Sequence, residues 1–332
     1  MTEKNEIDDV MKVIREGKKH VIFQTAPSIR VGIAEEFGAR PGERLMKGEM
    51  VAGCHILGPK VKCVDTNFSA DLTIIEEGNE LIERLKRALT GKGSEGVDHV
   101  SNVLPMFTSC CPGWVLYCEK NYPELLPNLS TCKSPQQMMG QVIKTYYAKK
   151  SGIDPKDIVS VSIMPCTAKK YEKIRKEMEA DGIRDIDYAL TTREFAKLFK
   201  QNNINLAELP SNTPYDDPLS HGTGAAVIFG TTGGVMEAAL RTAYEVVTGK
   251  EVPFKNLNIH PCRGFQGVKE ASIPITETKP EFSFLKGATL KIAIVHGGAN
   301  IKAIADKVLE CKKKGEPAPW HFIEIMACPS IF

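Results

Sequence analysis

Ten cysteines stand in this chain of 332 residues: Cys54, Cys63, Cys110, Cys111, Cys118, Cys132, Cys166, Cys262, Cys311 and Cys328. None lies in a CxxC pair. That argues against a zinc ribbon, a thioredoxin-like motif and a bacterial ferredoxin run, which all cluster their thiols locally. A metal site here must gather its ligands from distant segments. Three segments suggest how. Cys110 and Cys111 follow the apolar run Val103–Phe107 and two small residues, Cys166 follows Ile158–Met164 and a proline, and Cys328 follows Phe322–Met326 and an alanine. In parallel sheets the loops at the carboxyl ends of strands converge on a crevice, so thiols far apart in sequence can meet there. Burial as small structural hydrophobes is the competing reading, because free cysteine is commonly a core residue.

The elements expected to position these residues alternate. Residues 3–18 read as an amphipathic helix, and His20–Ala26 as an apolar strand stopped by Pro27. Lys60–Asp65 is a strand. A helix is expected over residues 70–89, with Leu72, Ile75, Leu81 and Leu85 as its apolar positions. The turn-rich stretch 91–101 reads as an exposed loop. Further strands are expected at Val103–Phe107, Ile158–Met164, Asp187–Thr191, Thr289–His296 and His321–Met326. Helical stretches separate most of them, which is the pattern of parallel α/β units. The expected fold is α/β: two α/β lobes with mainly parallel sheets flanked by helices, and an active site in the cleft between them.

Composition narrows the function. Hydrophobic residues make up 42% and charged residues 25%, with a formal net charge of +2. No strong field or aromatic-plus-basic pattern calls for nucleic acid. No run approaches the roughly 18 apolar residues of a membrane span. The mixed-charge start MTEKNEIDDVMKVIREGKK lacks an apolar signal-peptide core, so the expected location is the cytoplasm. There, thiols more often serve metals or catalysis than disulfides. The glycine-rich stretch 221–234 lacks the GxxxxGK[ST] pattern and any clean GxGxxG, so a phosphate loop is not expected. His221, His260, His296 and His321 show no metal-binding spacing, and a cysteine nucleophile at Cys110–Cys111 lacks a histidine partner.

The flanks of the three cysteine segments read TSCCPGW at 108–114, MPCTAKKYE at 164–172 and FIEIMACP at 322–329. Together, in this order, they resemble the three signature motifs of FeFe-hydrogenase catalytic domains. QTAPS at 24–28, ADLTIIEEGNEL at 70–81, SPQQMMG at 134–140, DGIRDIDYALTTREFAKL at 181–198 and IFGTTGGVMEAALR at 228–241 resemble the same domain. The resemblance implies a helical extension over 1–18 and a catalytic domain over 19–332. It implies an H-cluster: a 4Fe–4S cubane joined to a two-iron subsite that carries CO, cyanide and a dithiolate. Cys111, Cys166 and Cys328 are implied as cubane ligands, a task that suits soft anionic thiolates. Cys110 is implied as the thiol exchanging protons with the two-iron unit. Glu77, Ser130, Glu80 and Arg84 are implied as the proton route. Their helix spacing suits it, since residues three and four apart share a face, although an ordinary solvated Glu/Arg face has the same spacing. Lys169, Pro27 and Ser28 are implied as cyanide contacts, and Gln136, Met164, Phe229 and Met326 as pocket lining. Glu172 is expected to pair with a neighbouring cation or to cap the site.

The implied activity is reversible reduction of protons to dihydrogen, with ferredoxin as electron carrier, maturation proteins as further partners, and a monomeric chain. Lys149, Lys150, Lys169, Lys170 and Lys173 make the middle of the chain locally basic, which suits either docking of an acidic ferredoxin or, more commonly, an ordinary solvated face. One departure from the family pattern stands out. The third motif continues to a second, bridging cysteine four positions after the first, and here Phe332 stands at that position. Phenylalanine has no lone pair for iron. The expectation is an incomplete version of a longer enzyme; the alternative is a non-catalytic iron–sulfur scaffold or sensor of the same family.

Overall fold

The computed structural model describes residues 4–97, 100–230, 233–253, 260–262 and 267–329. The chain divides into two compact units, one formed by Met1–Leu72 with Pro135–Val227, the other by Thr73–Ser134 with Ile228–Phe332.

The first unit is built on a four-stranded sheet. His20–Thr25 lies at its centre between Val61–Asp65 and Ile158–Ile163, and Tyr188–Leu190 follows on the far side. Every pairing is parallel. The central strand is buried along nearly its whole length, as expected where both faces of a parallel sheet are covered. Helix Ile7–Glu16 packs Ile7, Val10, Met11 and Ile14 into this unit's core and ends on left-handed Gly17. Helix Thr192–Gln201 starts with a capping box between Thr191 and Glu194.

The second unit holds a five-stranded sheet in the order Met106–Phe107, Phe322–Met326, Thr289–His296, Val268–Pro274 and His260–Pro261. The first three strands are parallel and the last two antiparallel. Helices Gly234–Thr248 and Asn67–Thr90 cover one face through Met236, Leu240, Leu81 and Leu85, while Trp114, Ile301 and Ile304 pack on residues of the other. The α/β class with mostly parallel sheets is therefore as expected from the sequence.

Three details differ. The strand expected over Val103–Phe107 is only Met106–Phe107, because Pro105 lacks the amide proton a ladder needs. The antiparallel strand Val268–Pro274 was not foreseen, although Val268, Ala271 and Ile273 are buried at alternating or near-alternating places. In the helix Asn67–Thr90 the core position is Ile74, at 2% exposure, and Ile75 is 50% exposed. The apolar stripe alone misplaced the buried face because polar residues occupy much of it.

Candidate active site

Those polar residues are Glu77, Glu80 and Arg84, exposed by 1%, 5% and 0%. They are not a solvated charge face. Arg84 uses all five of its guanidinium protons. Nε and Nη2 donate to Glu80 Oε1 at 3.0 and 2.7 Å, Nη1 donates to the carbonyls of Val103 and Pro127, and Nη2 also reaches the Leu129 carbonyl at 2.7 Å. The other Glu80 oxygen, Oε2, accepts from Ser130 Oγ at 3.0 Å, from the Thr131 amide at 2.9 Å and from Thr131 Oγ1 at 3.1 Å. Cys132 Sγ approaches the same oxygen at 3.7 Å. Ser130 is fixed in turn by the sheet, since its amide donates to the Phe107 carbonyl at 2.7 Å. Three sequence-named residues, Glu80, Arg84 and Ser130, are thus brought together. Thr131 and Cys132 join them without having been foreseen; a polar tripeptide before a helix carries no distinctive signal.

Glu77 is different. Neither of its oxygens has a hydrogen-bond partner. Burial pushes its pKa up to about 8; the Glu80 charge and the Glu324 charge push the same way, while the Ser130 hydroxyl and the Ser109 backbone pull against them without closing a hydrogen bond. Glu77 is therefore neutral at pH 7. Glu80, beside it, is ion-paired. A cavity of about 410 Å³ lies against Glu80, Thr131 and Cys132 and is lined also by Glu76, Glu83 and Lys86. A buried neutral acid, a hydroxyl and an ion-paired carboxylate beside a cavity form a sequence through which a proton can pass by hydrogen-bond exchange.

Glu324 was also missed. It is fully buried, burial pushes it up to about 7, and its Oε2 accepts the Met236 amide at 2.8 Å. A lone acid inside the apolar strand FIEIM was the available signal. Both raised carboxyls weigh on stability with a definite sign. A carboxyl whose folded pKa lies above its unfolded value contributes fully below the unfolded value, and that contribution is lost as pH rises through the folded one. Between about pH 5 and 8, Glu77 and Glu324 should each cost on the order of 3 kcal/mol. Urea unfolding at pH 5 and pH 8 checks this: Glu77→Gln should lose less stability than the parent over that interval. An identical loss in both would contradict the assignment of a neutral Glu77.

Three cysteines of the second unit follow one end of its sheet. Strands Met106–Phe107 and Phe322–Met326 are parallel neighbours, so Cys110, Cys111 and Cys328 all follow the same sheet end. Cys111 is the N-cap of helix Pro112–Asn121, where the helix dipole favours negative charge. Its sulfur accepts the Ala327 amide at 3.3 Å. A Cβ on Gly113 would stand 3.1 Å from Ala327 Cβ and 3.9 Å from the Cys111 sulfur, so a larger residue there would crowd Ala327. Cys110 is buried, Cys111 half-buried and Cys328 exposed. Met326 is half-buried at the end of its strand, and Phe229 half-buried at the end of helix Gly224–Phe229. Phe332 lies outside the described residues.

In the first unit, Cys166 follows the strand Ile158–Ile163 and is half-buried. Met164 is buried and donates its amide to Leu190. Lys169, expected to face an anionic ligand, reaches an internal anion: its Nζ lies 2.9 and 3.1 Å from the Glu172 oxygens. Glu172 thus pairs with a cation. It also accepts Gln136 Nε2 at 2.9 Å and Gln137 Nε2 at 3.3 Å, which leaves the buried Oε1 of each glutamine without a partner. Pro27 accepts Arg30 Nε at 3.1 Å, and Ser28 is the N-cap of helix Ile29–Gly32. Arg30 is fixed by two bonds to Asp65, so the turn carrying Pro27 is rigidly held.

Among the described residues, no three His, Cys, Asp or Glu side chains stand close enough to hold a single metal ion. The donor chemistry nevertheless fits a thiolate-held iron–sulfur group in the second unit: a sulfur at a helix N-terminus, with a backbone amide donating to it, is the environment that stabilises thiolate ligands.

The family model described as iron only hydrogenase large subunit, C-terminal domain, matches residues 19–330. The chain is 44% identical over 323 residues to a periplasmic Fe hydrogenase large subunit of Nitratidesulfovibrio vulgaris, covering 97% of this chain and 69% of that protein. It is 40% identical to iron hydrogenase 1 of Clostridium pasteurianum over 99% of this chain, and spans about half (51%) of that relative's length. Among solved structures, an apo FeFe-hydrogenase variant of Chlamydomonas reinhardtii superposes with a TM-score of 0.82 at 41% identity, over 98% of this chain and 82% of the other. A cytosolic Fe-S cluster assembly factor of Danio rerio is more distant, at 28% identity over 97% of this chain and 74% of its own. The chain belongs to the family of iron-only hydrogenase large subunits, C-terminal domain.

Proposed function

We propose that this chain is the catalytic domain of an FeFe-hydrogenase that interconverts protons, electrons and dihydrogen. The observation that carries the reading is the buried sequence Glu77, Ser130, Glu80: an inert scaffold has no need of a neutral, unpartnered acid beside an ion-paired one. Cys111, Cys166 and Cys328 would hold the cubane of an H-cluster, with Met164, Phe229, Met326, Gln136, Pro27 and Ser28 as lining. When bound, the cluster supplies the electrons and the metal site at which hydrogen forms.

The rest is the work of this chain's own groups. Protons enter from the cavity at Glu80. Glu80 holds the Ser130 hydroxyl proton through Oε2, and the Cys132 amide takes one lone pair of Ser130 Oγ at 3.2 Å, which leaves the other lone pair to accept a proton from Glu77. Glu77 can release its proton because burial keeps it neutral at working pH. The Ser109 backbone, one residue before Cys110, lies beside Glu77, and in this reading Cys110 takes the proton onward. Arg84 holds Glu80 in place.

The electron partner we propose is ferredoxin, together with maturation proteins that load the cluster, a monomeric state and a cytoplasmic location. No helix among the described residues is long and apolar enough to cross a membrane. The basic surface expected from five lysines is reduced, because Lys169 pairs with Glu172, Lys170 with Glu194 and Lys173 with Glu6. Lys149 and Lys150 remain exposed. Ferredoxin-driven hydrogen evolution should therefore fall with rising salt, and Lys149→Glu with Lys150→Glu should flatten that dependence; a rate insensitive to salt would contradict docking by charge.

A second reading is favoured by Phe332, which stands where the family places the bridging cysteine, and by the relatives named for cluster assembly. It is a non-catalytic iron–sulfur scaffold or sensor. Turnover is accordingly best measured with Phe332→Cys beside the parent. Hydrogen evolution by either after maturation supports the enzyme. Iron uptake with no hydrogen from either supports the scaffold.

A further inference from the structure

Thr108 directly follows the strand Met106–Phe107 and is fully buried. Up to that point the strand runs beside Phe322–Met326 as a parallel neighbour. The Met106 amide donates to the His321 carbonyl at 2.8 Å, and the Thr108 amide to the Ile323 carbonyl at 3.0 Å. A continued parallel ladder would give the next amide of the partner strand, that of Ile325, to the Thr108 carbonyl. The Ile325 amide goes to the Thr108 hydroxyl, at 3.0 Å. The amide after it in the same row, that of Ala327, goes to the Cys111 sulfur at 3.3 Å. Side chains thus take over from main chain as acceptors at the end of the sheet where Cys110, Cys111 and Cys328 follow.

The other edge of the short strand gives the reason. The Phe107 carbonyl accepts the Ser130 amide at 2.7 Å, and Ser109 Oγ donates to the Cys132 carbonyl at 2.8 Å. Beyond Thr108 the main chain is therefore tied to residues 130–132. Neighbouring strands joined by main-chain bonds stay about 4.8 Å apart. A hydroxyl acceptor lets the two chains part while the amide facing it keeps a partner. That partner matters here, because Ile325 is fully buried and solvent cannot replace it. Helix Pro112–Asn121 then begins against Ala327, where Gly113 makes its close approach.

We propose that Thr108 is a positioning residue for this site: its hydroxyl holds the strand Phe322–Met326 where the ladder parts, and so keeps the Ala327 amide on the Cys111 sulfur and sets the start of the Cys328 segment. Thr108 acts through Ile325 and Ala327. The proposal rests on the hydrogenase reading only in taking Cys111 and Cys328 as cluster ligands. In that reading the Ala327 bond matters to the cluster, because an amide donated to a ligand sulfur stabilises the more negative, reduced state and raises the potential.

The first test needs no cluster. Backbone amide exchange of the full chain, read by NMR, compares the parent with Thr108→Val, which keeps the shape of the side chain without its acceptor, and with Thr108→Ser, which keeps the hydroxyl. In Thr108→Val the Ile325 amide should exchange about tenfold faster or more, the scale of one lost hydrogen bond. The Ala327 amide, which Thr108 does not bond, should quicken with it. The Ile292 and Ile294 amides of the same sheet should hold their rates, and Thr108→Ser should behave as the parent. If Thr108→Val does not fold, Thr108→Ala removes the same acceptor and carries the same expectation. An Ala327 amide that keeps its rate while Ile325 quickens confines Thr108 to its own bond and overturns the proposal. So does a serine variant no better than valine. The second test is the midpoint potential of the cubane after iron and sulfide reconstitution. It should move to more negative values in Thr108→Val and return in Thr108→Ser; an unmoved potential overturns the proposal. A parent that takes up no cluster sinks the hydrogenase reading instead, and the amide rates then decide the role of Thr108 by themselves.

Discussion

Glu77→Gln is expected to lower hydrogen turnover of the matured Phe332→Cys chain by about 10²–10⁴-fold, the scale of one lost general acid–base group. Glutamine keeps the size and polarity of the side chain but has no proton to give. Because neither Glu77 oxygen has a hydrogen-bond partner, the substitution should disturb little else. Iron content should be unchanged, and thermal stability near pH 8 should rise, since a costly buried ionisation is removed. Hydrogen evolution from reduced dye, beside iron analysis of the same preparation, separates these effects. Turnover within about threefold of the parent would mean that protons do not pass this way.

Arg84→Ala is expected to cost about 3–5 kcal/mol of stability, the penalty for leaving a buried charge uncompensated. The guanidinium is fully buried, and its loss strands Glu80 together with the carbonyls of Val103, Pro127 and Leu129. Arg84→Lys keeps the charge but offers three protons where five are used. It should fall between the two. The midpoint and slope of urea unfolding give the number, and a loss below about 1 kcal/mol would place Arg84 among ordinary surface pairs. The two substitutions probe different links. Glu77 affects turnover with the fold intact, and Arg84 affects the fold that holds the route.

What the sequence revealed follows from the range of the forces involved. Parallel strands ending in cysteines were legible because apolar runs and small flanking residues are local signals. The strand Thr289–His296 appears with the expected bounds. Helix Asn67–Thr90 was legible as a helix, but its buried face was not. The stripe of apolar positions suggested Ile75 pointing inward, whereas the core holds Ile74 together with Glu77 and Arg84. Periodicity counts only apolar residues, so a face that buries charge against charge is invisible to it. The cation expected beside Glu172 is Lys169, three residues before it. Lys170 and Lys173 pair with Glu194 and Glu6, which are distant in sequence, and nothing local announces such pairs. Glu324 is the reverse case: its signal was local, an acid inside an apolar strand, and it was passed over as part of the cysteine motif.

The central claim is that Cys111, Cys166 and Cys328 hold an iron–sulfur group that supports a carbonyl- and cyanide-bearing two-iron subsite. Infrared spectroscopy after maturation tests it most directly, because few groups in a protein absorb where metal-bound CO and cyanide do. The Phe332→Cys chain should show these bands, and they should vanish in Cys111→Ser. Absence of the bands from Phe332→Cys with iron bound, or their persistence in Cys111→Ser, would contradict the account.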